Sequence, residues 1–263
     1  MTAAGAPLLS CRNLSKYFGA LAAVKDLSFD VARGEILGIG GPNGAGKTTL
    51  FDMISALNPA TSGDILFEGR DIAGLSPERV CHAGILRTFQ LNAGFDSLTV
   101  CETILAAAQF GASRLWPGVR LDRRSRDKSA EAIDLVGLGE FRDAPTETLP
   151  ILERKLLMIA SALGASPKLL LLDEPAGGLT PKEIDRVTAI VEAVAARGVT
   201  IILIEHVMRF LVRLSSRVMI LHHGEKIYEG PPQDLAGDAT VVDVYLGAGA
   251  SARLKAEFDG RGA

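Results

Sequence analysis

The sequence predicts a mixed α/β fold in which parallel strands alternate with helices, and three observations carry this prediction. Two continuous apolar runs, residues 169–172 and 200–204, have the length and composition of strands that are buried on both faces. The segment 183–196 between them has helical composition, so the three segments form one β-α-β unit. A third apolar strand, residues 36–40, leads directly into a glycine-rich loop and a further helix.

The other segments predict additions to this core. Short strands are predicted at residues 8–10, 24–31, 35–40 and 64–67, a helix at 47–57, and a hairpin at 218–228. From residue 98 to about 149 the character of the sequence changes and apolar residues recur at helical spacing, which predicts an inserted α-helical block. We interpret the basic stretch 114–128 within it as a solvated loop and helix face. Residues 247–263 are rich in Gly and Ala, and we expect a flexible tail there.

The composition excludes several classes of function. Hydrophobic residues are 48% and charged residues 22% of the 263 residues, and 28 basic against 31 acidic residues give a net charge of −3. That balance argues against nucleic acid as a partner. No apolar run approaches the ~18–20 residues of a membrane-spanning helix, and the first residues do not resemble a secretory signal. We expect a cytoplasmic protein in which the three cysteines form neither a disulfide framework nor a zinc site.

The glycine-rich loop after residues 36–40 has the spacing of a phosphate-binding motif. Gly41-Pro42-Asn43-Gly44-Ala45-Gly46-Lys47-Thr48 matches G-x-x-x-x-G-K-[S/T], with a strand before it and a helix after it. The glycines let the backbone turn tightly and direct its N–H groups, with the helix N-terminus, at phosphate oxygens. Lys47 would face the β- and γ-phosphates, and the Thr48 hydroxyl would bind Mg²⁺. The nucleotide-binding residues expected here are Gly41, Asn43, Gly44, Ala45, Gly46, Lys47, Thr48 and Thr49.

Acidic residues follow the apolar strand at 169–172. Asp173 would hold Mg²⁺, directly or through water, and Glu174 would orient or activate the attacking water as a general base. The next apolar strand is followed by His206, which would hydrogen-bond the γ-phosphate or that water. Because the carboxyl ends of parallel strands gather at one edge of a sheet, we expect Lys47, Asp173 and His206 to converge.

These motifs stand in the order found in the nucleotide-binding subunits of ABC transporters, and residues 8–246 resemble that family. The resemblance implies a P-loop NTPase core of ABC ATPase type, with an N-terminal antiparallel β subdomain and an α-helical subdomain inserted at about 91–165. Arg87-Thr88-Phe89-Gln90 resembles the family's Q-loop, so Gln90 is implied to contact Mg²⁺ or water. Phe18 matches the aromatic position that stacks on adenine, and the neighbouring Tyr17 is the competing candidate.

A finer resemblance is to one ATPase subunit of importers for branched-chain amino acids. The resemblance rests on five segments: Arg87-Thr88-Phe89-Gln90, the segment from Asp173 to Glu183, Ile204-Glu205-His206, Glu229-Gly230-Pro231-Pro232 and Val244-Tyr245-Leu246-Gly247. The resemblance implies ATP and Mg²⁺ as cofactors and catalytic roles for Lys47, Gln90, Glu174 and His206. It implies peripheral binding to the cytoplasmic face of a membrane, with permease subunits, a second ATPase subunit and, indirectly, a periplasmic or extracellular solute-binding protein as partners.

The chain departs from the family pattern at its signature motif. Leu149-Pro150-Ile151-Leu152-Glu153 stands where L-S-G-G-Q is usual, so Pro150 replaces a Ser and Leu152 replaces a Gly. Pro offers neither a hydroxyl nor an N–H, and Leu adds bulk where Gly allows close approach of the backbone. In an ABC dimer each ATP lies between the phosphate loop of one subunit and the signature motif of the other. The altered signature of this chain would therefore weaken the site that holds the ATP bound to the partner's phosphate loop, and not the site at its own loop. We therefore expect a heterodimer with unequal sites, with a homodimer as the alternative. Thr180 is a second departure, where many relatives have Asp.

Other readings of the resemblance stay open at this point. The chain could be the ATPase subunit of a lipid or lipopolysaccharide exporter, which has similar architecture. It could also be a non-catalytic, regulatory ATP-binding subunit. DNA-repair and ribosomal relatives are disfavoured because the chain has room for no long coiled coil and contains one phosphate loop.

Overall fold

The computed structural model describes residues 6–88, 97–111 and 123–246, which fall into two compact units. The first unit contains the described residues up to Leu75 and from Ile201 onward, and the second contains those from Ser76 to Thr200. The predicted tail at 247–263 lies outside the described residues.

The described residues form ten strands and eight helices, with short 3-10 turns between some of them. The strands are β1 (Leu9–Phe18), β2 (Leu21–Val31), β3 (Ile36–Gly40), β4 (Ser62–Phe67), β5 (Arg70–Asp71), β6 (Ile85–Arg87), β7 (Leu169–Asp173), β8 (Thr200–Ile204), β9 (Arg217–His222) and β10 (Glu225–Gly230). The helices are α1 (Lys47–Ile54), α2 (Pro77–Ala83), α3 (Val100–Gly111), α4 (Arg123–Val136), α5 (Ile151–Gly164), α6 (Pro181–Ala196), α7 (Met208–Leu214) and α8 (Ala239–Val241), the last continuing into a π-helical turn at Val242–Leu246.

The first unit holds an antiparallel sheet with the strand order β2-β1-β4-β5. Leu9 lies opposite both Val31 of β2 and Phe67 of β4, and all three side chains are buried. An apolar layer on one face of the sheet therefore holds the three long strands together. The antiparallel β subdomain expected from the resemblance is confirmed.

The same unit holds the strands that carry the phosphate loop. β3 pairs in parallel with β8 on one side and with β9 on the other, and β10 pairs antiparallel with β9. α7 packs so closely on β3 that a Cβ on Gly38 would lie 2.2 Å from the Ser215 hydroxyl oxygen. A glycine at that position is therefore what lets the helix approach the strand.

The second unit combines a parallel strand pair with a helical block. β6 lies beside β7 in parallel register, with Ile85 opposite Leu169 and Arg87 opposite Leu171. α3, α4 and α5 pack against one another, and the Gly164 position on α5 lies close to the Ile104 carbonyl on α3. The helical content that the resemblance implied for this part of the chain is therefore present.

Several element boundaries differ from the sequence prediction. β1 continues from the predicted 8–10 to Phe18, because it is the central strand between β2 and β4 and is held by backbone pairing despite its polar residues. α1 ends at Ile54 rather than at 57, since Ala56 adopts a left-handed backbone with φ 59°. The segments β5, α2, β6 and α7 were not predicted, and each has seven residues or fewer. Across the described parts of the chain, no helix combines the length and the apolar character needed to cross a membrane.

Candidate functional site

The phosphate loop connects the end of β3 to the start of α1 and contains two positions that only glycine can occupy. Gly41 has φ 141° and a Cβ there would lie 2.2 Å from the Leu221 carbonyl oxygen. Gly46 has φ 99° and a Cβ there would lie 2.2 Å from the Ala23 carbonyl oxygen. Backbone from β2 and β9 therefore presses on the loop from outside, so the loop is a close-fitting cradle rather than an open turn.

Lys47 is buried at the base of this loop. Its Nζ donates hydrogen bonds to the carbonyl oxygens of Gly41, at 2.7 Å, and of Pro42, at 3.0 Å. The ammonium therefore lies against the loop, and its contact with terminal phosphates stays a prediction. The first turn of α1 contains no acidic residue, so no side-chain carboxylate cancels the positive field at the helix N-terminus.

The remaining predicted residues of the loop differ in exposure. Asn43, Gly44 and Thr48 are exposed, Thr49 is half-buried, and Ala45 is buried. The Ala45 carbonyl accepts a hydrogen bond of 3.1 Å from the Gly224 amide in the β9–β10 turn, and the Gly224 carbonyl accepts one of 2.8 Å from the Lys25 amide. The sequence predicted this hairpin but not its contact with the loop, because the contact joins residues 179 positions apart.

Asp173 ends β7 in the second unit and is held from the neighbouring strand. Its Oδ2 accepts a hydrogen bond of 2.8 Å from the Arg87 guanidinium, and its amide donates to the Thr88 hydroxyl at 3.2 Å. Among the residues that the structure describes, Oδ1 of Asp173 is buried and accepts no hydrogen bond. The sequence placed Arg87 only within a motif, and the ion pair with Asp173 was missed.

Glu174 leaves the strand in an unusual backbone conformation. Its φ of 48° is left-handed, which for a residue other than glycine costs about 1–3 kcal/mol. The Lys155 ammonium on α5 donates to the Glu174 carbonyl oxygen at 2.8 Å, and the Gly177 amide donates to the same atom at 3.3 Å. These contacts hold the backbone turn in which the half-buried Glu174 follows the strand.

His206 follows β8 in the first unit, and its side chain is exposed. The preceding Glu205 is fully buried, and its Oε2 accepts hydrogen bonds from the amides of His206, at 3.0 Å, and Val207, at 3.1 Å. Glu205 thus holds the backbone that presents the imidazole to solvent. This buried acid was also missed, because the apolar run before it gave no sign of its burial.

The two candidate aromatic residues lie at the end of β1. Phe18 is 48% exposed and Tyr17 is 43% exposed, so both rings are open to a ligand. The Lys16 ammonium lies 5.1 Å from the centre of the Phe18 ring. Gln90 lies outside the described residues, and its role in binding Mg²⁺ or water stays a prediction.

The signature segment forms the start of α5, and its residues are poorly suited to binding an anion. Pro150 is the N-cap and provides no side-chain cap, while Glu153 places a carboxylate in the first turn of the helix. Ile151 is 52% exposed, whereas Leu152 is 6% exposed. The side chain of Leu152 therefore does not add bulk at the surface, as predicted, but packs on the buried side of α5. Ile151 is the apolar residue that is exposed there.

Thr180, the second departure from the family, is the N-cap of α6. Its amide and hydroxyl donate to the Glu183 carboxylate at 2.7 and 2.6 Å, closing a capping box. The Thr180 hydroxyl and amide lower the pKa of Glu183. Thr and Asp both cap helices well, so the replacement preserves the helix start.

The residues present fit a magnesium nucleotide. Mg²⁺ prefers oxygen ligands together with substrate phosphates; Asp173 in the second unit offers a carboxylate, and Thr48 in the first unit offers a hydroxyl. The buried and open Oδ1 of Asp173 is an acceptor that a cation would satisfy. A glycine-rich loop of this spacing between a strand and a helix is typical of P-loop nucleoside triphosphatases, and that is the class of protein to which the loop points.

Comparison with known proteins specifies the family. A family model described as "ABC transporter" matches residues 24–177. The chain is 31% identical over 250 residues to the high-affinity branched-chain amino acid transport ATP-binding protein BraF of Pseudomonas aeruginosa, covering 92% of this chain and 98% of BraF. It is 32% identical, with the same coverage, to LivG of Escherichia coli K12, which carries the same description.

Solved structures agree with the sequence comparison. The chain resembles the ADP conformation of an ATP-binding cassette of an ABC transporter with a TM-score of 0.83 and 28% identity, covering 92% of this chain and 100% of that one. A nucleotide-free cassette gives a TM-score of 0.81 and 28% identity, with 92% and 99% covered. The chain belongs to the ABC transporter family, and the predicted ABC ATPase fold is confirmed.

Proposed function

We propose that this chain is the ATP-hydrolysing subunit of an importer for branched-chain amino acids or related amino-acid-like solutes. The observation that carries the ATPase assignment is the phosphate loop, in which glycines are enforced by neighbouring backbone and Lys47 lies against the turn. The solute class is supported by similarity to BraF and LivG over nearly the whole of each chain. The proposed ATPase domain is 8–246, with the helical subdomain at about 91–165 inserted in it.

In this proposal each residue has a chemical task. The loop from Gly41 to Thr49 and the start of α1 bind the phosphates, with Lys47 against the terminal ones. Thr48, Asp173 and Gln90 hold Mg²⁺, which when bound neutralises charge on the phosphates. Glu174 takes the proton of the attacking water, and His206 donates a hydrogen bond to the γ-phosphate. From the cytoplasmic face of the membrane, ATP binding and hydrolysis by this chain then drive the permease subunits between their inward and outward states.

Reconstitution tests the solute and the partners together. The chain is captured from detergent-solubilised membranes, and the complex is placed in liposomes with its solute-binding protein. We expect a permease and a second ATPase subunit to co-purify, and we expect leucine to stimulate ATP hydrolysis and to be taken up. Stimulation by a lipid instead of by amino acids would favour the exporter alternative.

The adenine-stacking residue can be assigned by paired substitutions. Loss of one stacking ring weakens binding of a base by about 1–3 kcal/mol, which is about fivefold or more in affinity. We therefore expect Phe18→Ala to weaken ATP binding about tenfold in calorimetry, and Tyr17→Ala to leave it nearly unchanged. The reverse order of effects would assign the stacking role to Tyr17.

The signature segment predicts unequal ATP sites in a heterodimer. Pro150→Ser would restore a hydroxyl and an N–H at the exposed N-cap of α5, where a partner's nucleotide is proposed to bind. We expect ATP turnover per complex to rise about tenfold or more, since one hydrogen bond to a charged group contributes about 1.5–3 kcal/mol. Pro145→Ser, at another exposed proline of the same unit, is the control. An unchanged rate in Pro150→Ser would contradict the proposal that the two ATP sites are unequal.

Leu152→Gly, which would restore the other usual residue of the signature, is not a useful test of the unequal sites. Leu152 is buried, and truncation of a buried Leu costs about 2–5 kcal/mol through the cavity that it leaves. A lower rate in such a variant would report lost packing in α5 rather than the chemistry of the signature.

A further inference from the structure

Arg87 and Asp173 form a buried ion pair at the edge of the parallel strands β6 and β7. The side chain of Arg87 is 6% exposed and that of Asp173 is 3% exposed, and their nearest atoms are 2.8 Å apart. Arg87 lies opposite Leu171 in the register, two residues before Asp173, so the geometry follows from strand pairing. The next residue, Thr88, binds the backbone on both sides of this point, through Leu171 and Asp173.

Only one of the two carboxylate oxygens of Asp173 takes part in this ion pair. Oδ2 of Asp173 accepts from Arg87, while Oδ1 accepts no hydrogen bond from any residue that the structure describes. A buried carboxylate without a counter-charge is strongly unfavourable, so Arg87 stabilises the site whenever no metal is present. A second cation that binds Oδ1 must approach the guanidinium, and the two positive charges repel each other strongly in a buried site.

We propose that Arg87 is a positioning residue that acts as a built-in counter-charge to Asp173 and opposes Mg²⁺ at the same carboxylate. The inference rests on the proposed function, in which Asp173 holds Mg²⁺. Arg87 keeps the carboxylate in place before the magnesium nucleotide arrives, and it lowers the affinity of the site for the metal. It thereby sets the Mg²⁺ concentration at which the nucleotide site fills.

Mg²⁺-dependent thermal stabilisation of the full chain tests this role without requiring turnover. Mg²⁺ is titrated at a fixed excess of a non-hydrolysable ATP analogue, and the unfolding temperature gives the concentration for half-maximal stabilisation. We expect Arg87→Met to lower that concentration about threefold to tenfold, because the opposing charge is gone. Arg87→Lys keeps the charge and is expected to stay within about twofold of the native value.

A second ion pair of the same unit provides the control. Arg186 lies 3.5 Å from Glu153, and Arg186→Met removes a guanidinium from a carboxylate without a proposed metal. It is expected to leave the Mg²⁺ dependence unchanged. If Arg87→Met does not fold, Arg87→Gln replaces it, since it keeps a hydrogen-bond donor without the charge.

The outcomes separate the two proposals. An Mg²⁺ requirement in the uncharged Arg87 variant that equals or exceeds that of the native chain overturns the counter-charge role. Absence of any Mg²⁺-dependent stabilisation in the native chain contradicts the proposed magnesium nucleotide site instead.

Discussion

Glu174→Gln is expected to lower kcat for ATP hydrolysis by about 10²- to 10⁴-fold, the usual contribution of a positioned general base. The amide has nearly the shape of the carboxylate but cannot accept a proton from the attacking water. The backbone turn at φ 48° and the bond from Lys155 involve main-chain atoms of residue 174, so the substitution leaves them in place. Nucleotide affinity is therefore expected to change by less than about threefold.

The measurement compares ATP turnover of the reconstituted complex with nucleotide binding to the same preparation. Glu140→Gln is the matched control, because Glu140 is an exposed acid of the same unit on a 3-10 turn. It is expected to keep native turnover. Native turnover in Glu174→Gln would instead support the reading of a regulatory ATP-binding subunit, in which this carboxylate has no role in catalysis.

The sequence predicted best where a feature depends on local composition. β7 and β8 are nearly uniform aliphatic runs, and the phosphate loop has a fixed spacing between a strand and a helix. The burial of Leu152 was also available in principle, since Leu152, Leu156 and Ile159 recur at helical spacing and all are buried. The family pattern drew attention to bulk at this position, and the periodicity of α5 was the better guide.

Features that depend on pairing across the chain could not be predicted in this way. β6 has three residues, too few for a periodic signal, yet its register with β7 brings Arg87 to Asp173 across 86 positions. The left-handed turn at Glu174 likewise has no local signal, because Glu rarely adopts positive φ and only the surrounding contacts impose it. The sequence thus drew attention to Asp173 and Glu174 themselves, but not to the residues that hold them in place.

Gly46→Ala is expected to abolish the phosphate loop while leaving its sequence otherwise intact. The new Cβ would lie 2.2 Å from the Ala23 carbonyl oxygen, and neither β2 nor the loop can yield without moving backbone. The φ of 99° adds strain for any residue with a side chain. We expect the free energy of unfolding to fall by about 3 kcal/mol or more, and ATP affinity to fall about 100-fold or more.

Gly44→Ala separates this steric effect from the general requirement for positive φ. Gly44 belongs to the same loop and has φ 79°, but a Cβ there would meet no atom within 4 Å. Only the left-handed penalty of about 1–2 kcal/mol applies, so stability should fall modestly and the cradle should keep its shape. Chemical denaturation measures the stability of both variants, and calorimetry with ATP measures their affinity. Equal losses in the two variants would mean that backbone strain, and not the pressure of β2 on the loop, dictates glycine at position 46.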